Sequence, residues 1–277
     1  MKKFKVGLQL YSVRQDMERD MDATLGEVKA MGYDYVEFAG YFGKSAEEIK
    51  ALLDKHGLKC RSVHQTHDVF LTAPEENIKF LKTIGVEYCA IPWMAPDKIT
   101  NKEGFEKLVA DAKIVGKLLA DAGIKLLYHN HDFEFLTLGG EIILDKLYSE
   151  LDSTLLNPEL DTCWVHYAGY DPIEYINKYA DRNTIVHLKD FDCKELGAGP
   201  NYALIDENGN EIKPKSREEN EFKFLPLGQG RQNMKAILEA CDKASTEYII
   251  VEQDQSVDRP ALEAVRMSRE YLKTLGQ

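Results

Sequence analysis

The sequence lacks any apolar run long enough to cross a membrane. No window of its 277 residues approaches the roughly 18 consecutive apolar residues of a membrane-spanning helix. The opening MKKFKVGLQLYSV also lacks the pattern of a signal peptide, because its apolar stretch is interrupted by Gln9 and followed at once by Arg14 and Asp16. We therefore expect a cytoplasmic protein with no membrane partner.

Paired cysteines are missing as well. The five cysteines are odd in number, widely spaced and free of any CxxC motif. This pattern argues against a disulfide framework and against a zinc ribbon. We expect small buried hydrophobic side chains at Cys60, Cys89, Cys163, Cys193 and Cys241.

Positive charge is scarce, with 35 basic against 47 acidic side chains and a formal net charge of -12. The chain has no dense stripe of lysine and arginine, and a field of this sign repels phosphate backbones. We therefore expect no nucleic-acid partner. What is present, 44% hydrophobic residues, is enough for one large core.

Short apolar runs alternate with longer amphipathic segments along the whole chain. Segments such as 45–58, 74–86 and 104–124 carry apolar residues at helical spacing. Strands joined by helical crossovers in a chain of this length predict a single (β/α)8 TIM barrel domain over residues 1–277. The predicted strands are 5–11, 35–38, 59–64, 88–92, 125–130, 156–161, 184–188 and 248–252.

Residues 193–224 break this alternation. The segment is polar, contains the hairpin signal Glu207-Asn208-Gly209 and follows the seventh predicted strand. We expect a flap inserted over the C-terminal face of the barrel, with an insertion that plays no part in function as the alternative.

Polar side chains collect at the predicted carboxyl ends of the strands, where TIM barrels build their functional sites. Such groups are costly to bury without partners. His, Asp, His and Glu follow four successive strands, a set typical of one divalent ion of zinc, manganese, cobalt or iron. A generic polar barrel mouth is the alternative. The polar strand ends and loops include Gln9, Tyr11, Glu37, His64, Gln65, His67, Trp93, His129, Asn130, His131, Glu134, Asp161, Trp164, His187, Lys189, Asp190, Glu252, Gln253 and Asp254.

Five short motifs resemble, in order, the xylose isomerase-like TIM barrels that are grouped as sugar phosphate isomerases/epimerases. The resemblance runs from GLQLYSVR near the start of the chain to SREYLKTL near its end. It implies a metal-dependent enzyme with a small carbohydrate substrate. The motifs are YHNHDFEF (128–135), ELDTCWV (159–165), VHLKDF (186–191), PLGQGRQN (226–233) and VEQD (251–254).

The resemblance also implies metal ligands, since the family typically holds a divalent ion by Glu, Asp, His and Glu from strands five to eight. Asp161, His187 and Glu252 match the last three. Where relatives carry the first glutamate this sequence has His129, which we predict as the fourth ligand. Glu134 and His131 are the alternatives.

The expected chemistry is proton transfer next to a carbonyl, because a metal that chelates a sugar lowers the pKa of the neighbouring C–H. This predicts a sugar, sugar phosphate or keto-sugar isomerase or epimerase that acts through a metal-bound enediolate. Glu252 would work on one face of the substrate and Glu134 or His131 on the other. The alternatives are a metal-dependent dehydratase or lyase on a cyclitol or oxidised sugar, and a non-catalytic sugar-binding protein.

Five further residues are predicted to bind the substrate. Lys189 would hold an oxyanion, carboxylate or phosphate, or else form a structural ion pair with Asp190 or Glu37. Trp93 and Trp164 would offer flat faces to a sugar ring, or belong to the core. The set is Tyr11, His64, Trp93, Trp164 and Lys189.

Two features away from the strand ends complete the predictions. Gly228-Gln229-Gly230 lacks the strand context of a dinucleotide-binding loop, so we expect it to shape the loop before a late helix. Exposed apolar side chains such as Phe42 and Phe70 are expected to serve a lid or a homodimer interface.

Overall fold

Parallel strands close into a barrel in this computed structural model, which describes residues 1–199, 204–205, 211–212 and 218–277. The strands are Lys5–Gln9 (β1), Tyr35–Ala39 (β2), Lys59–His64 (β3), Tyr88–Ile91 (β4), Lys125–His129 (β5), Asn157–Asp161 (β6), Ile185–Leu188 (β7) and Tyr248–Val251 (β8). The order around the barrel is β1-β8-β7-β6-β5-β4-β3-β2.

One main helix follows each barrel strand, so the predicted (β/α)8 TIM barrel is confirmed. Short additional helices lie in several of the loops between strand and main helix. The main helices are Met21–Met31 (α1), Ala46–His56 (α2), Pro74–Ile84 (α3), Lys102–Asp121 (α4), Ile143–Glu150 (α5), Pro172–Lys178 (α6), Met234–Lys243 (α7) and Ala261–Thr274 (α8).

The predicted element bounds differ from the structure mainly at strand and helix ends. The first strand stops at Gln9 rather than at Tyr11, because the Gln9 side chain accepts a hydrogen bond from Tyr11 N at 3.0 Å and a 3-10 turn begins at Leu10. At α2, Ser45 and Glu48 form a capping box, and Gly57 ends the helix with a φ of 66°. Local side-chain chemistry therefore sets these ends.

The barrel interior is apolar at one level and polar above it. Alternation along each strand directs every second side chain inward. One level is an apolar cluster that includes Tyr88, Leu127 and Ile250. Ile185 also belongs to this apolar level. His187 and Glu252 follow Ile185 and Ile250 by two residues and so lie one level higher on the same inner face. The polar chemistry is therefore confined to the carboxyl half of the barrel.

The insertion after β7 begins and ends in an antiparallel pair of short strands, Asp190–Asp192 and Lys223–Leu225. Within it, Leu204–Ile205 pairs with Glu211–Ile212, and the backbone of the first of these approaches the short helix Pro96–Ile99. The predicted turn Glu207-Asn208-Gly209 lies outside the described residues. Placement of a flap over the C-terminal face stays a prediction.

The Gly228-Gln229-Gly230 loop is built around Asp190. The carboxylate of Asp190 accepts hydrogen bonds from Gly228 N at 2.9 Å and from Gly230 N at 3.0 Å. A Cβ at Gly230 would come within 2.2 Å of this carboxylate, so only glycine fits. The glycines shape the loop before α7, as the sequence predicted.

Several smaller predictions are also decided by burial. All five cysteines are free and buried, as expected. Phe70 is fully buried, so the prediction that it is exposed was wrong, whereas Phe42 is 38% exposed. No helix in the described part of the chain is long and apolar enough to cross a membrane.

Candidate active site

A cavity of about 460 Å³ lies at the carboxyl ends of the barrel strands. A larger hollow of about 730 Å³ lies on helices α4 and α5 instead, beside side chains such as Lys102 and Glu106. The strand-end cavity is the candidate site because it contains the predicted chemistry. Predicted site residues that line it are Tyr11, His64, Trp93, His129, His131, Lys189 and Glu252.

The four predicted metal ligands meet at the base of this region. One ligand atom from each of His129, Asp161, His187 and Glu252 lies within 4.8 Å of the others. His187 Nδ1 is 2.9 Å from Glu252 Oε2, and His129 Nε2 is 3.6 Å from Asp161 Oδ2. All four residues are buried. Their positions at the ends of β5 to β8 bring them together.

This donor set fits a divalent metal ion. Imidazole nitrogen and carboxylate oxygen suit zinc, manganese, cobalt and iron. The His129 imidazole supports this, because burial and the nearby rings of His187 and His64 hold its pKa well below the usual range. The neutral ring has a free lone pair for a metal. The cluster can hold a metal.

Lys189 lies inside this cluster with only 1% of its side chain exposed. Its Nζ is 3.0 Å from Asp161 Oδ2, 3.1 Å from Glu252 Oε2 and 2.9 Å from Asp254 Oδ1. Burial lowers the pKa of Lys189, but these three carboxylates outweigh it and raise that pKa above its usual value. The alternative prediction, a structural ion pair of Lys189 with Asp190 or Glu37, was wrong, because the ammonium lies beside the three carboxylates named above.

Glu134 does not join the cluster. Its carboxylate accepts hydrogen bonds from the Tyr128 hydroxyl and from His131 N, both at 2.7 Å. Both oxygens are therefore engaged in fixing the loop after β5. The structure does not bring Glu134 to the other predicted ligands or to the cavity lining.

The burial of Glu134 predicts a pH-dependent stability. Burial raises the pKa of this carboxyl from 4.5 to about 8, so the folded state holds a proton that the unfolded state has released. Stability should fall as pH rises from about 4.5 to 8, by at most about 1.4 kcal/mol per pH unit. Glu134→Gln should lack this component. Urea unfolding at several pH values measures it.

The exposed Glu150 provides the control for this measurement, and Glu150→Gln should follow the wild-type pH profile. Wild-type and Glu134→Gln curves that stay parallel between pH 5 and 8 would contradict the assignment.

His131 and Trp164 take different positions from each other. His131 lines the cavity, with its ring stacked on Phe133 and 5.3 Å from the ring of His129. Trp164 is fully buried and does not line the cavity. It packs in an aromatic cluster with Phe222 and Phe224 from the end of the insertion. The prediction that Trp164 binds substrate is therefore unsupported by its position.

Sequence reasoning gave no catalytic, substrate-binding or metal-binding role to Glu159, Glu37 or Asp254. Glu159 stands two residues before Asp161, so strand alternation places both on the inner face. Glu37 lies at the same level on the far side of the barrel, and Asp254 lines the cavity. The alternation was a usable signal for Glu159.

The buried carboxylates beneath the cavity form an ion-paired layer with histidine. Burial raises the pKa of Glu37, but the imidazoles of His64 and His187 hold that pKa well below its usual range. Burial and the charge of Glu37 raise the pKa of Glu159. Burial lowers the pKa of His64, but Glu37 and Glu159 together raise it to about 10. This layer therefore carries a protonated His64 at neutral pH.

Comparison with known proteins yields similar chains along nearly the whole length. An inosose dehydratase of Clostridium beijerinckii is 25% identical over 279 residues, covering 92% of this chain and 90% of that one. A sugar phosphate isomerase/epimerase of Parabacteroides distasonis superposes with a TM-score of 0.77 at 20% identity, covering 99% and 94% of the chains. The IolI protein, solved with a bound zinc atom, superposes with a TM-score of 0.67 at 16% identity, covering 98% and 97%.

The family model named Xylose isomerase-like TIM barrel matches residues 25–275, which is most of the chain. The match includes all four residues of the metal-compatible cluster. With the closed barrel and the strand-end cavity, it establishes that this protein belongs to the xylose isomerase-like TIM barrel family.

Proposed function

We propose that this protein is a metal-dependent dehydratase that eliminates water next to the carbonyl of a keto-cyclitol or keto-sugar. The observation that carries the proposal is the convergence of His129, Asp161, His187 and Glu252 beside the Lys189 ammonium. The inosose dehydratase relative, which aligns over nearly the whole chain, supports the choice of reaction.

The choice of elimination over epimerisation is supported by the inosose dehydratase relative. Epimerisation needs a proton acceptor on one face of the substrate and a proton donor on the opposite face. Glu134 was the carboxylate predicted for the second face, and its two oxygens are engaged with Tyr128 and the backbone of His131. Elimination needs one base and one acid, and Glu252 and His131, which both line the cavity, would serve as these groups.

A divalent metal at the four ligands would act as a Lewis acid that makes the C–H beside the carbonyl more acidic. The Glu252 carboxylate would take the proton from this carbon. The His131 side chain would give a proton to the hydroxyl on the next carbon, which leaves as water while the C=C bond forms. The Lys189 ammonium, held beside Glu252, would stabilise the negative charge that develops on the carbonyl oxygen of the substrate.

The mouth of the cavity would position the substrate. Tyr11 and Trp93 are 41% and 42% exposed and can cover the apolar faces of a ring. The ring of Tyr11 is held by the guanidinium of Arg14, 4.1 Å from its centre. His64, which also lines the cavity, can donate a hydrogen bond to a substrate hydroxyl.

Sugar isomerisation is the second candidate. It begins with the same proton removal at Glu252, and His131 lies on the cavity wall where it could return a proton to the adjacent carbon. The two reactions differ in mass balance, because isomerisation releases no water.

The experiment that separates them is NMR and mass spectrometry of metal-loaded enzyme with inososes and keto-sugars in deuterated water. Dehydration yields a product lighter by one water, whereas isomerisation yields a product of unchanged formula that carries deuterium. Glu252→Gln should lower either rate by about 10²–10⁴-fold. Metal-loaded protein that binds these compounds but exchanges no C–H proton would contradict both.

A further inference from the structure

Two imidazoles of the candidate metal cluster each face carboxylates through both ring nitrogens. His129 directs Nε2 towards Asp161, at 3.6 Å, and Nδ1 towards Glu159 Oε2, at 3.4 Å. His187 directs Nδ1 towards Glu252, at 2.9 Å, and Nε2 towards Glu37 Oε1, also at 2.9 Å. The two rings thus lie between the upper carboxylates, Asp161 and Glu252, and the lower carboxylates, Glu37 and Glu159. The nitrogen that faces the upper carboxylates is Nε2 in His129 and Nδ1 in His187.

The lower carboxylates are themselves held in place. Gln9 Nε2 donates to Glu37 at 2.7 Å, and the Ser62 hydroxyl donates to the other oxygen of Glu37. His64 Nε2 lies 2.7 Å from Glu159 Oε2. Both glutamates are fully buried. The positions of the two glutamates are therefore set by contacts among β1, β2, β3 and β6, without the need for a bound ion.

The ring nitrogens that face the lower carboxylates need a hydrogen-bond acceptor. His129 Nδ1 and His187 Nε2 are buried and make no hydrogen bond in the described part of the chain, although Glu159 and Glu37 face them at 3.4 and 2.9 Å. A buried N–H without an acceptor costs free energy, so the carboxylates that face these atoms are their natural partners. The hydrogen bond at one ring nitrogen decides which tautomer is present and which nitrogen is left to bind a metal.

We infer that Glu159 and Glu37 are positioning residues of the metal centre. Glu159 holds the proton of His129 on Nδ1 and leaves Nε2 to the metal, whereas Glu37 holds the proton of His187 on Nε2 and leaves Nδ1. The inference rests on the proposed function, because it presupposes that the metal ion is bound by His129, Asp161, His187 and Glu252.

The lower layer also has a composition that a second ion could use. His64, His129, Glu159 and His187 each offer an atom within 4.8 Å of the others. The distance of 2.7 Å between His64 Nε2 and Glu159 Oε2 is that of a direct hydrogen bond. These two atoms bind each other and leave no space for an ion between them. We therefore assign Glu159 a positioning role, and the number of bound ions tests that assignment.

The test is a titration of metal-free protein with Co²⁺ alone, followed by its visible absorption and by the hyperfine-shifted imidazole N–H signals in proton NMR. Wild type should bind about one ion and show one slowly exchanging N–H signal from each of the two rings. Glu159→Gln and Glu37→Gln should bind Co²⁺ about 10–100-fold more weakly and each alter the signal of its own ring. Melting temperatures measured in parallel show that the variants are folded.

Glu134→Gln is the matched control, since Glu134 is equally buried but hydrogen-bonds Tyr128 and His131 N instead. It should keep wild-type affinity, and loss of Co²⁺ in this variant overturns the inference. Wild-type affinity and both N–H signals in Glu37→Gln and Glu159→Gln would also overturn it. So would two ions in wild type with one lost in Glu159→Gln, which would make Glu159 a ligand. No Co²⁺ in wild type would instead overturn the proposed function.

Discussion

Asp161→Asn is expected to abolish metal binding and turnover while the barrel stays folded. Asp161 Oδ1 accepts hydrogen bonds from Cys163 N and Trp164 N, at 2.8 and 3.3 Å, and so caps the short helix after β6. Asparagine keeps a capping oxygen but loses the negative charge. Because a ligand itself is changed, metal affinity should fall by more than the roughly 10–100-fold that loss of an outer partner costs.

Asp171→Asn provides a matched control for this variant. Asp171 is exposed and caps α6 by accepting a hydrogen bond from Ile173 N at 2.8 Å, away from the cluster. Metal affinity by isothermal calorimetry and thermal unfolding of both variants should separate ligand loss from cap loss. Wild-type metal affinity in folded Asp161→Asn would remove this residue from the site.

Lys189→Met is expected to destabilise the metal-free protein by about 3–5 kcal/mol, since removal of one partner of a buried ion pair leaves uncompensated charge. Here the carboxylates of Asp161, Glu252 and Asp254 would lose the ammonium that lies about 3 Å from each. A bound divalent ion supplies positive charge to the same carboxylates, so metal should stabilise the variant more than wild type. Urea unfolding with and without Zn²⁺ or Mn²⁺ measures both effects.

Activity should also fall in Lys189→Met, by about 10²–10³-fold, because a preorganised charge next to the reacting oxygen is lost. Lys194→Met is the control, since Lys194 pairs with Glu221 on the surface with 55% of its side chain exposed. Metal-free Lys189→Met as stable as wild type would show that the ammonium does not hold these carboxylates together.

The barrel could be predicted because its strands are short apolar runs that need no distant partner to be recognised. The same holds for the four cluster residues, since His129, Asp161, His187 and Glu252 end or follow successive strands. Parallel closure then brings the ends together.

The misses arose where a side chain's direction depends on contacts that the sequence does not display. Glu134 lies in a 3-10 turn that returns its carboxylate to Tyr128, so proximity along the chain did not place it at the cluster. Trp164 is enclosed by Phe222 and Phe224, which come from the far end of the insertion. The approach of Glu37 to His187 joins strands that lie on different sides of the closed barrel.

The most direct test of the metal centre is elemental analysis of dialysed wild type, His129→Ala and Glu134→Gln after reconstitution with Zn²⁺ or Mn²⁺. The structure predicts about one ion per chain in wild type and in Glu134→Gln, with the ion lost from His129→Ala. An ion retained by His129→Ala and lost from Glu134→Gln, or a wild type that holds no metal under any of these conditions, would contradict the account.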